Sequence, residues 1–447
     1  MAKIYYARVD ELWRRGEKYA YLEEKEHVGN VAWQELEPDA KGNWLTEGMW
    51  DEFDDFIPVG SKEVKAANKA EGAIFKTFSN GVKTHRDSWV YNFDESVLIE
   101  NVLRTSETYN DHVYKWTNSA RDKSKVDDFV KYDESKVSWS LGMKNFLLRG
   151  KEISYEESKV RTALYRPFCK SFLYFDEVLN DARYQFPSIF PVPITENENQ
   201  AIGLTGPGSE KPFVSLVSNG IVDLHLSSPG CVTQCFPFYT YNEDGTNRRE
   251  NITDWALEKF RAQYNDSAIT KWDIFHYVYA VLHHPLYRER YAANLKRELP
   301  RLPFAPDFHA FARAGARLAQ IHVNYELAAE YPLERLEQKG VALDWRVERM
   351  KLSKDKLSLA YNEFLTLGGI PPEVYEYRLG NRSALEWIVD QYQVTIDKRS
   401  GITNDPNRAD DPEYIVRLIG QVVAVSLETV RIVRELPALG IEPQQRP

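Results

Sequence analysis

The loop Thr205-Gly206-Pro207-Gly208 follows a strand-like run and has the composition of a loop that holds a nucleotide or a methyl donor. That chemistry needs glycines where the backbone approaches the ligand, and a helix whose N-terminus faces the phosphate. The third glycine of a G-x-G-x-x-G motif is missing, no Lys-Ser/Thr pair follows Gly208, and Pro212 interrupts the expected helix. The pattern therefore favours an ordinary turn between strands over a cofactor site.

Three Glu-x-Lys triplets, beginning at Glu63, Glu134 and Glu157, match half of the motif of metal-dependent nucleases. Those enzymes hold their metal with carboxylates on neighbouring strands, whereas these triplets lie in charged segments that favour helices or loops. Asp223 and His225 alternate along one strand near two cysteines, but the set is short of four zinc ligands and lacks a nucleophile elbow. We therefore predict no catalytic residue and no metal site in this chain.

The composition is that of a globular protein. The chain has 447 residues, a net charge of -10, and 43% hydrophobic and 13% aromatic residues, enough for two to four units with real cores. No apolar run approaches the length of a membrane span, and the start lacks the pattern of a signal peptide, so we expect no membrane association and a cytoplasmic location. Its three cysteines fit a reducing compartment.

The order of elements predicts an α+β fold. The chain begins with a short strand, KIYYARV, which has no partner nearby and should pair with a later segment or with another polypeptide. Residues 172–241 contain short aromatic and β-branched runs separated by Pro, Gly and Asn, which indicates a strand-rich central unit with a mixed sheet. Helices dominate after residue 251. Capping residues at Thr270 and Ser383 and the proline Pro285 predict helix starts, and apolar periodicity predicts helices over 308–322 and 412–436.

The clearest basic stretch is residues 270–320, where eight Lys and Arg residues outnumber four acidic residues. Cations in such a stretch can pair with phosphates of nucleic acid. The acidic net charge argues against non-specific coating of nucleic acid but leaves room for a local basic groove.

Several segments resemble, in the same order, the C-terminal portion of single-chain restriction-modification enzymes of Type ISP and the related Type IIG group. They are THRDSWVYNF (84–93), VDDFVKYDESKVSWS (126–140), LYRPFCKSFLYFD (164–176), AIGLTGPGSEKPF (201–213), DLHL with QCFPFYTY (223–241), ITKWDIFHYVYAVLHHPLYRERYAANLKRELPRLPFAPDF (269–308), and EYRLGNRSALEWIVDQYQVTIDKRSGITNDPN (376–407). In that family a nuclease, a helicase-like motor and an adenine-N6 methyltransferase precede a target-recognition region. The resemblance implies that this chain is the last of these.

The resemblance also implies domain boundaries. Residues 1–45 are expected to be the end and exit linker of an α/β methyltransferase domain, and 46–165 a connecting α/β region. Residues 166–250 would form the strand-rich part, and 251–447 the helical C-terminal part, of the target-recognition domain. The family's methyl-donor loop, Asn/Asp-Pro-Pro-Tyr/Phe motif, Walker motor and nuclease carboxylates would lie upstream. We therefore expect no cofactor and no activity in this chain alone, with S-adenosylmethionine, Mg and ATP bound only by the upstream domains.

These arguments favour a DNA sequence-specificity module of a restriction-modification system, with double-stranded DNA and the methyltransferase and motor domains or subunit as its partners. The candidates for phosphate contacts are Arg288, Arg290, Arg297, Arg313 and Arg317. The candidates for further contacts near the DNA are the polar residues Arg378, Asn381, Arg382, Lys398, Arg399 and Asn404. The alternative is a non-catalytic assembly subunit of a phage-defence complex that docks through its long apolar C-terminal helix. A stand-alone methyltransferase using the 205–208 loop is disfavoured by the missing base-holding motif.

Overall fold

The computed structural model describes residues 3–9, 13, 15–39, 42, 44–119 and 122–441. It divides into two compact units, Met1–Trp50 and Asp51–Pro447. The helices of the described residues are α1 Arg15–Lys25, α2 Lys62–Ala66, α3 Asp87–Val90, α4 Glu95–Thr117, α5 Val126–Phe129, α6 Leu141–Leu148, α7 Phe186–Ile189, α8 Asp254–Tyr264, α9 Lys271–Val281, α10 Pro285–Arg290, α11 Ala292–Leu295, α12 Phe308–Val323, α13 Ala384–Gln391 and α14 Tyr414–Arg434.

The strands are short. In chain order they are β1 Ile4–Tyr6, β2 Gln34–Leu36, β3 Ile57–Pro58, β4 Ser79–Asn80, β5 Tyr91–Asn92, β6 Val160–Arg166, β7 Cys169–Tyr174, β8 Ala201–Thr205, β9 Ser215–Ser218, β10 Ile221–Val222, β11 Thr233–Pro237, β12 Tyr239–Thr240, β13 Arg249–Glu250, β14 Arg301–Leu302, β15 Glu334–Glu337, β16 Lys351–Leu352, β17 Leu359–Ala360, β18 Leu365–Gly368, β19 Arg378–Leu379, β20 Arg382–Ser383, β21 Thr395–Ile396 and β22 Thr403–Asn404.

The first unit contains a small antiparallel pair, in which Ile4 of β1 lies opposite Leu36 of β2. Of the two expected arrangements, pairing of the first strand with a later segment of the same chain is therefore confirmed. Its partner follows about thirty residues later, after the helix α1, which a search for an adjacent hairpin does not reveal. The charged segment between the two strands forms the helix α1. The origin of this unit in a methyltransferase domain stays a prediction.

The second unit contains three four-stranded sheets: an antiparallel sheet with the order β15-β18-β17-β16, and two sheets whose strands are mostly buried. One of these two has the order β10-β6-β7-β5, with β10 parallel to β6 and the other pairs antiparallel. The other is antiparallel, with the order β4-β11-β8-β9. The strands of both these sheets are buried, because their β-branched and aromatic residues pack into one continuous core. The predicted α+β class, with a strand-rich unit and a mixed sheet before the helices, is confirmed.

The helical part begins as its sequence predicts. The Thr270 hydroxyl and the Asp273 side chain cap the start of α9 reciprocally, and Ser383 and Glu386 do the same for α13. The helix expected after Pro285 is interrupted at Tyr291 and forms α10 and α11.

The long C-terminal helix α14 is buried along most of its length, on α12, α13 and the 3-10 turns Tyr325–Leu327 and Pro372–Glu376. The docking face assumed for the alternative assembly-subunit function is therefore covered by the chain's own core. Among the described residues, no helix is both long and apolar enough to cross a lipid bilayer.

Candidate nucleic-acid interface

The hairpin of β21 and β22 presents two cations at its tip. The tip is closed by Asp397, whose carboxylate accepts hydrogen bonds from the backbone N–H groups of Arg399 (3.1 Å) and Ser400 (2.8 Å). Gly401 completes the turn with a φ of +72°, a conformation that favours glycine. The side chains of Lys398 and Arg399 are exposed, and neither has an ion-pair partner among the described residues. Both charged groups are thus accessible to an external anion.

The base of this hairpin is fixed to the sheet. The Asn404 side-chain oxygen accepts a hydrogen bond from the Phe93 backbone N–H at 2.9 Å, and the Asn92 amide donates to the Thr403 carbonyl at 3.0 Å. Ile402 is buried beneath the turn. Asn404, predicted from the sequence as a contact near the DNA, therefore anchors the hairpin, and this anchoring reduces the backbone entropy that the hairpin tip loses when it binds a ligand.

The segment 82–87 forms the opposite wall of a cleft beside the hairpin tip. Val82 bridges Asp223, and Gly81 lies so close to the same strand that a Cβ would meet the Asp223 carbonyl at 2.4 Å. His85 is exposed with a φ of +66°, an uncommon conformation for a side-chain-bearing residue that recurs at binding sites.

Arg86 holds this segment in place. Its guanidinium donates to the Ser138 carbonyl at 3.0 Å, to the Ser140 hydroxyl at 2.6 Å, and to the carbonyls of Thr84 and Leu179. Burial lowers the pKa of Arg86 to about 10, which still leaves the group cationic at neutral pH. Arg86 thus joins three segments of the chain and adds positive potential behind the cleft.

The concavity between these walls, which we call the hairpin cleft, has a volume of about 330 Å³. Its lining contains both hydrogen-bond donors and acceptors, which are the groups that recognise base edges in a groove. Its polar lining residues are Lys83, Thr84, His85, Arg86, Asp87, Ser88, Glu134, Ser138, Asp223, His225, Asp397 and Arg399.

Asp223 and His225 have structural partners. The Asp223 carboxylate lies 2.7 Å from Arg166, and burial raises the pKa of Asp223 to about 6 although Arg166 acts in the opposite direction. A ring nitrogen of His225 lies 3.2 Å from the Cys231 carbonyl. No group of three or more metal-binding side chains is found in the part of the chain that the structure describes.

The predicted phosphate contacts on the basic stretch are dispersed. Arg297 and Arg313 are exposed and have no ion-pair partner in the described residues, whereas Arg317 lies 3.3 Å from Glu428. Lys271 and Arg301, which contribute to the same stretch, are paired with carboxylates as well. Much of the local positive charge is therefore neutralised by acidic residues, several of them distant in sequence.

Arg290 is buried rather than presented to solvent. Its side chain is 5% exposed and lies 2.7 Å from the Glu52 carboxylate, which also accepts a hydrogen bond from the Tyr291 hydroxyl. Burial alone would raise the pKa of Glu52, but the Arg290 and Tyr291 hydrogen bonds outweigh it and hold the pKa below its ordinary value of 4.5. This geometry assigns Arg290 to folding, and its predicted contact with DNA has no support from its position.

We expect Arg290→Ala to lower the free energy of unfolding by about 1–2 kcal/mol at pH 7, because it leaves Glu52 without its cation while Glu52 remains partly solvated. The folded-state pKa of Glu52 is lowered, so the pair stabilises the protein above the ordinary pKa and the contribution is lost as the pH falls through the folded-state value. Urea unfolding of both proteins at pH 7 and near pH 4 measures this. An equal difference at both pH values would contradict the assignment.

Arg288 and Arg378 line one cavity together, separate from the hairpin cleft. Arg378 also donates to the Asn381 carbonyl, and Arg382 lies 3.1 Å from Asp390 with its guanidinium over the Trp387 ring. Of the predicted residues, the structure thus gathers Lys398, Arg399 and Asn404 on one hairpin and Arg288 and Arg378 in one cavity.

Three residues of the hairpin cleft were not predicted from the sequence as DNA contacts, namely Lys83, His85 and His225. Lys83 and His85 precede His225 by about 140 residues in the chain. They come together with His225 only because the residue after β10, Asp223, bridges Val82. The polar run Thr84-His85-Arg86-Asp87 is the feature of the sequence that could have indicated a binding site here. The positive φ of His85 could not be predicted from the residue types.

The chain is similar to proteins of known family and structure. Residues 73–418 match the model of the Type ISP C-terminal specificity domain. A nuclease-deletion mutant of the Type ISP restriction-modification enzyme LlaGI, solved in complex with a DNA substrate mimic, is 32% identical with a TM-score of 0.86, and the match covers 98% of this chain and 39% of that one. The cryoEM structure of a DrdV–DNA complex is 35% identical with a TM-score of 0.85, covering 98% and 44%.

The ATP-dependent Type ISP restriction-modification enzyme LlaBIII bound to DNA is 28% identical with a TM-score of 0.79, over 92% of this chain and 26% of the other. The chain thus spans less than half the length of these proteins. No curated protein shows significant sequence similarity to it.

Proposed function

Because the chain belongs to the family of Type ISP C-terminal specificity domains, we propose that it recognises a specific sequence in duplex DNA. It positions that sequence for adenine-N6 methylation and for cleavage by other domains of a restriction-modification enzyme. The observation that carries the proposal is the hairpin tip. There two exposed cations, which have no ion-pair partner among the described residues, are held on an anchored base beside a cleft of mixed donors and acceptors.

The two parts of the interface have different tasks. A two-stranded ribbon is narrow enough to enter the major groove, where an arginine side chain can donate to the O6 and N7 atoms of guanine. Arg399 lies at such a tip and also lines the cleft, so it is the leading candidate for base contact. Lys398 is a point charge on a flexible stem, which suits a phosphate.

The chemistry of methylation and cleavage belongs, in this proposal, to partner domains that supply S-adenosylmethionine, Mg²⁺ and ATP. The sequence of this chain has no Asn/Asp-Pro-Pro-Tyr/Phe motif to hold a flipped adenine. The role of the chain is to fix the register of the duplex, and it acts in the cytoplasm, where the DNA lies.

The proposal is tested by selection from a pool of duplexes with a random central segment, captured on the full chain. We expect one short sequence motif to be enriched over successive rounds. Binding of the selected duplex, measured by fluorescence anisotropy, should weaken by a factor on the order of 10³ between about 50 and 200 mM salt, because phosphate contacts release counterions.

A scrambled duplex of the same composition is the control, and it should bind more weakly at every salt concentration. Absence of enrichment, or tight binding that does not respond to salt, would contradict the proposed function. The adenine-N6 part is tested separately, by co-expression with the methyltransferase polypeptide followed by single-molecule sequencing. N6-methyladenine is expected within the selected motif.

A further inference from the structure

A second concavity lies away from the hairpin cleft, where four segments distant in sequence converge. We call it the TGPG cavity; it is bounded by the loop 205–213, by α10 and α11, by the turn at β19, and by the end of α14. Its volume is about 470 Å³, within the usual range of small-molecule sites.

The loop that forms one wall is held in a fixed shape. The backbone N–H of Gly206 donates to the Val232 carbonyl at 2.8 Å, and that of Gly208 donates to the Lys296 carbonyl at 2.7 Å. A Cβ at position 206 would meet the Val232 carbonyl at 2.9 Å, and Gly208 has a φ of +89°. The two glycines therefore serve the close approach of this loop to its neighbours, and the wall is formed before any ligand arrives.

The cavity has an excess of positive charge. Five cations line it with a single carboxylate, Glu376, which is already engaged by Arg434 through two contacts of 2.7 Å. The other cations are Lys211, Arg288, Lys296 and Arg378, and none of them has an ion-pair partner among the described residues. The Arg288 guanidinium donates to the Phe213 carbonyl and lies 5.9 Å from the centre of the Phe213 ring, but these neutral groups do not balance its charge. A partly buried cation without a carboxylate is costly unless an anion compensates it.

The cavity also contains an unsatisfied polar group. Tyr377 is 5% exposed, and its hydroxyl has no hydrogen-bond partner in the described part of the chain. Its ring is stacked at 5.2 Å on His322, which is itself fixed by contacts with the Tyr279 hydroxyl (2.6 Å) and the Thr429 hydroxyl (2.9 Å). The tyrosine is thus rigid, and its free donor lies beside the cations.

The remaining wall is apolar and is formed by Pro212, Phe213, Pro285, Leu295, Val430 and Val433. From this combination we propose that the TGPG cavity binds a small organic phosphate, a nucleoside monophosphate or a molecule of similar size. Its phosphate is held by Arg288, Arg378 and the Tyr377 hydroxyl, and its apolar body packs on Phe213 and the α14 side chains. A phosphate of duplex DNA fits less well, because it would have to leave the surface of the duplex to reach Tyr377.

Isothermal titration of the full chain tests this inference, with adenosine 5′-monophosphate, uridine 5′-monophosphate and ribose 5-phosphate as probes and adenosine as the phosphate-free comparison. We expect one phosphorylated probe to bind 1:1 with a Kd below about 1 mM and to raise the melting temperature, since a ligand of the native state stabilises it. Adenosine should bind at least about 10-fold more weakly.

Two substitutions report on the site without disturbing the core. Arg378→Gln should weaken binding about 10-fold and Tyr377→Phe about 3- to 10-fold. Tyr377→Phe keeps the ring stacked on His322, so the melting temperature of the unliganded protein should not fall. Arg313→Gln, which removes an exposed cation that does not line the cavity, is the matched control and should leave binding unchanged.

Failure of every phosphorylated probe to bind at 10 mM would overturn the inference. So would binding by Arg378→Gln and by Tyr377→Phe that is as tight as binding by the unsubstituted protein. Displacement of the bound nucleotide by the selected duplex would also overturn it, by showing that the cavity belongs to the DNA surface. The proposed function is independent of these results, because it is judged by the enrichment of a sequence motif.

Discussion

Arg399→Ala is expected to lower the affinity of the chain for its selected duplex by about 5- to 100-fold, corresponding to about 1–3 kcal/mol for a contact to a base edge. The structure gives the reason for so large an effect from one side chain. Arg399 is exposed, without an ion-pair partner in the described residues, and placed on a turn that Asp397 and Asn404 fix at both ends. The backbone of the turn therefore has little conformational entropy to lose on binding, and the Arg399 side chain is the part that becomes ordered.

The readout is anisotropy titration with the selected duplex and with single-base variants of it. Loss of discrimination at one position of the motif identifies the base that Arg399 reads. Lys398→Ala should instead weaken all duplexes uniformly and reduce the slope of log affinity against log salt by about 1.

Lys115→Ala is a matched control, because Lys115 is an exposed cation on α4 whose charge is already paired with Asp111. It should change neither affinity nor discrimination. Unchanged DNA binding by Arg399→Ala and Lys398→Ala together would remove the hairpin from the interface, while leaving a DNA-binding role elsewhere on the surface.

Features set by neighbouring residues could be predicted from the sequence. The capping boxes at Thr270 and Ser383 involve residues three positions apart, so the helices α9 and α13 begin where the pattern places them. The short aromatic and β-branched runs likewise indicate strands, since a strand needs only its own alternation to be recognised.

The sequence could not show in the same way which of the basic residues are unpaired on the surface of the folded chain. Residues 270–320 are basic as a window, yet Arg290 is paired with Glu52 and Arg317 with Glu428, partners more than one hundred residues away. A sliding window does not contain these carboxylates. The Oδ1 atom of the adjacent Asp397 accepts the backbone hydrogen bonds of the turn, and neither Lys398 nor Arg399 has an ion-pair partner among the described residues.

The hairpin cleft itself depends on topology. Its walls come from residues near 85, 225 and 399, and they meet because β10 pairs with β6 and the following segment bridges Val82. The family resemblance placed Lys398, Arg399 and Asn404 near DNA, but only the fold shows that Asn404 positions the other two. The order of strands is a property of the whole chain, which is why local reasoning did not find His85.

Gly315 is the position where the sequence alone is most misleading. It lies in the middle of α12, where glycine costs about 1 kcal/mol relative to alanine, so the sequence gives no reason for its presence. In the structure α12 crosses α9 at this residue, and a Cβ on Gly315 would lie 1.8 Å from the His276 carbonyl oxygen and 3.2 Å from the Ala280 nitrogen. Both obstacles are backbone atoms of a helix, which cannot rotate away as a side chain would.

We therefore expect Gly315→Ala to lower the free energy of unfolding by about 3 kcal/mol, because the helices must separate and the apolar residues packed between them lose contact. Gly16→Ala is the matched control: it is the same substitution inside α1, where no atom lies within 4 Å of the added Cβ, and it should be neutral or stabilise by up to about 1 kcal/mol. Urea unfolding followed by far-UV circular dichroism measures both. If Gly315→Ala unfolds at the same urea concentration as the parent, the close crossing of α9 and α12 is wrong, and with it the position of His322, the α12 residue on which the Tyr377 ring is stacked.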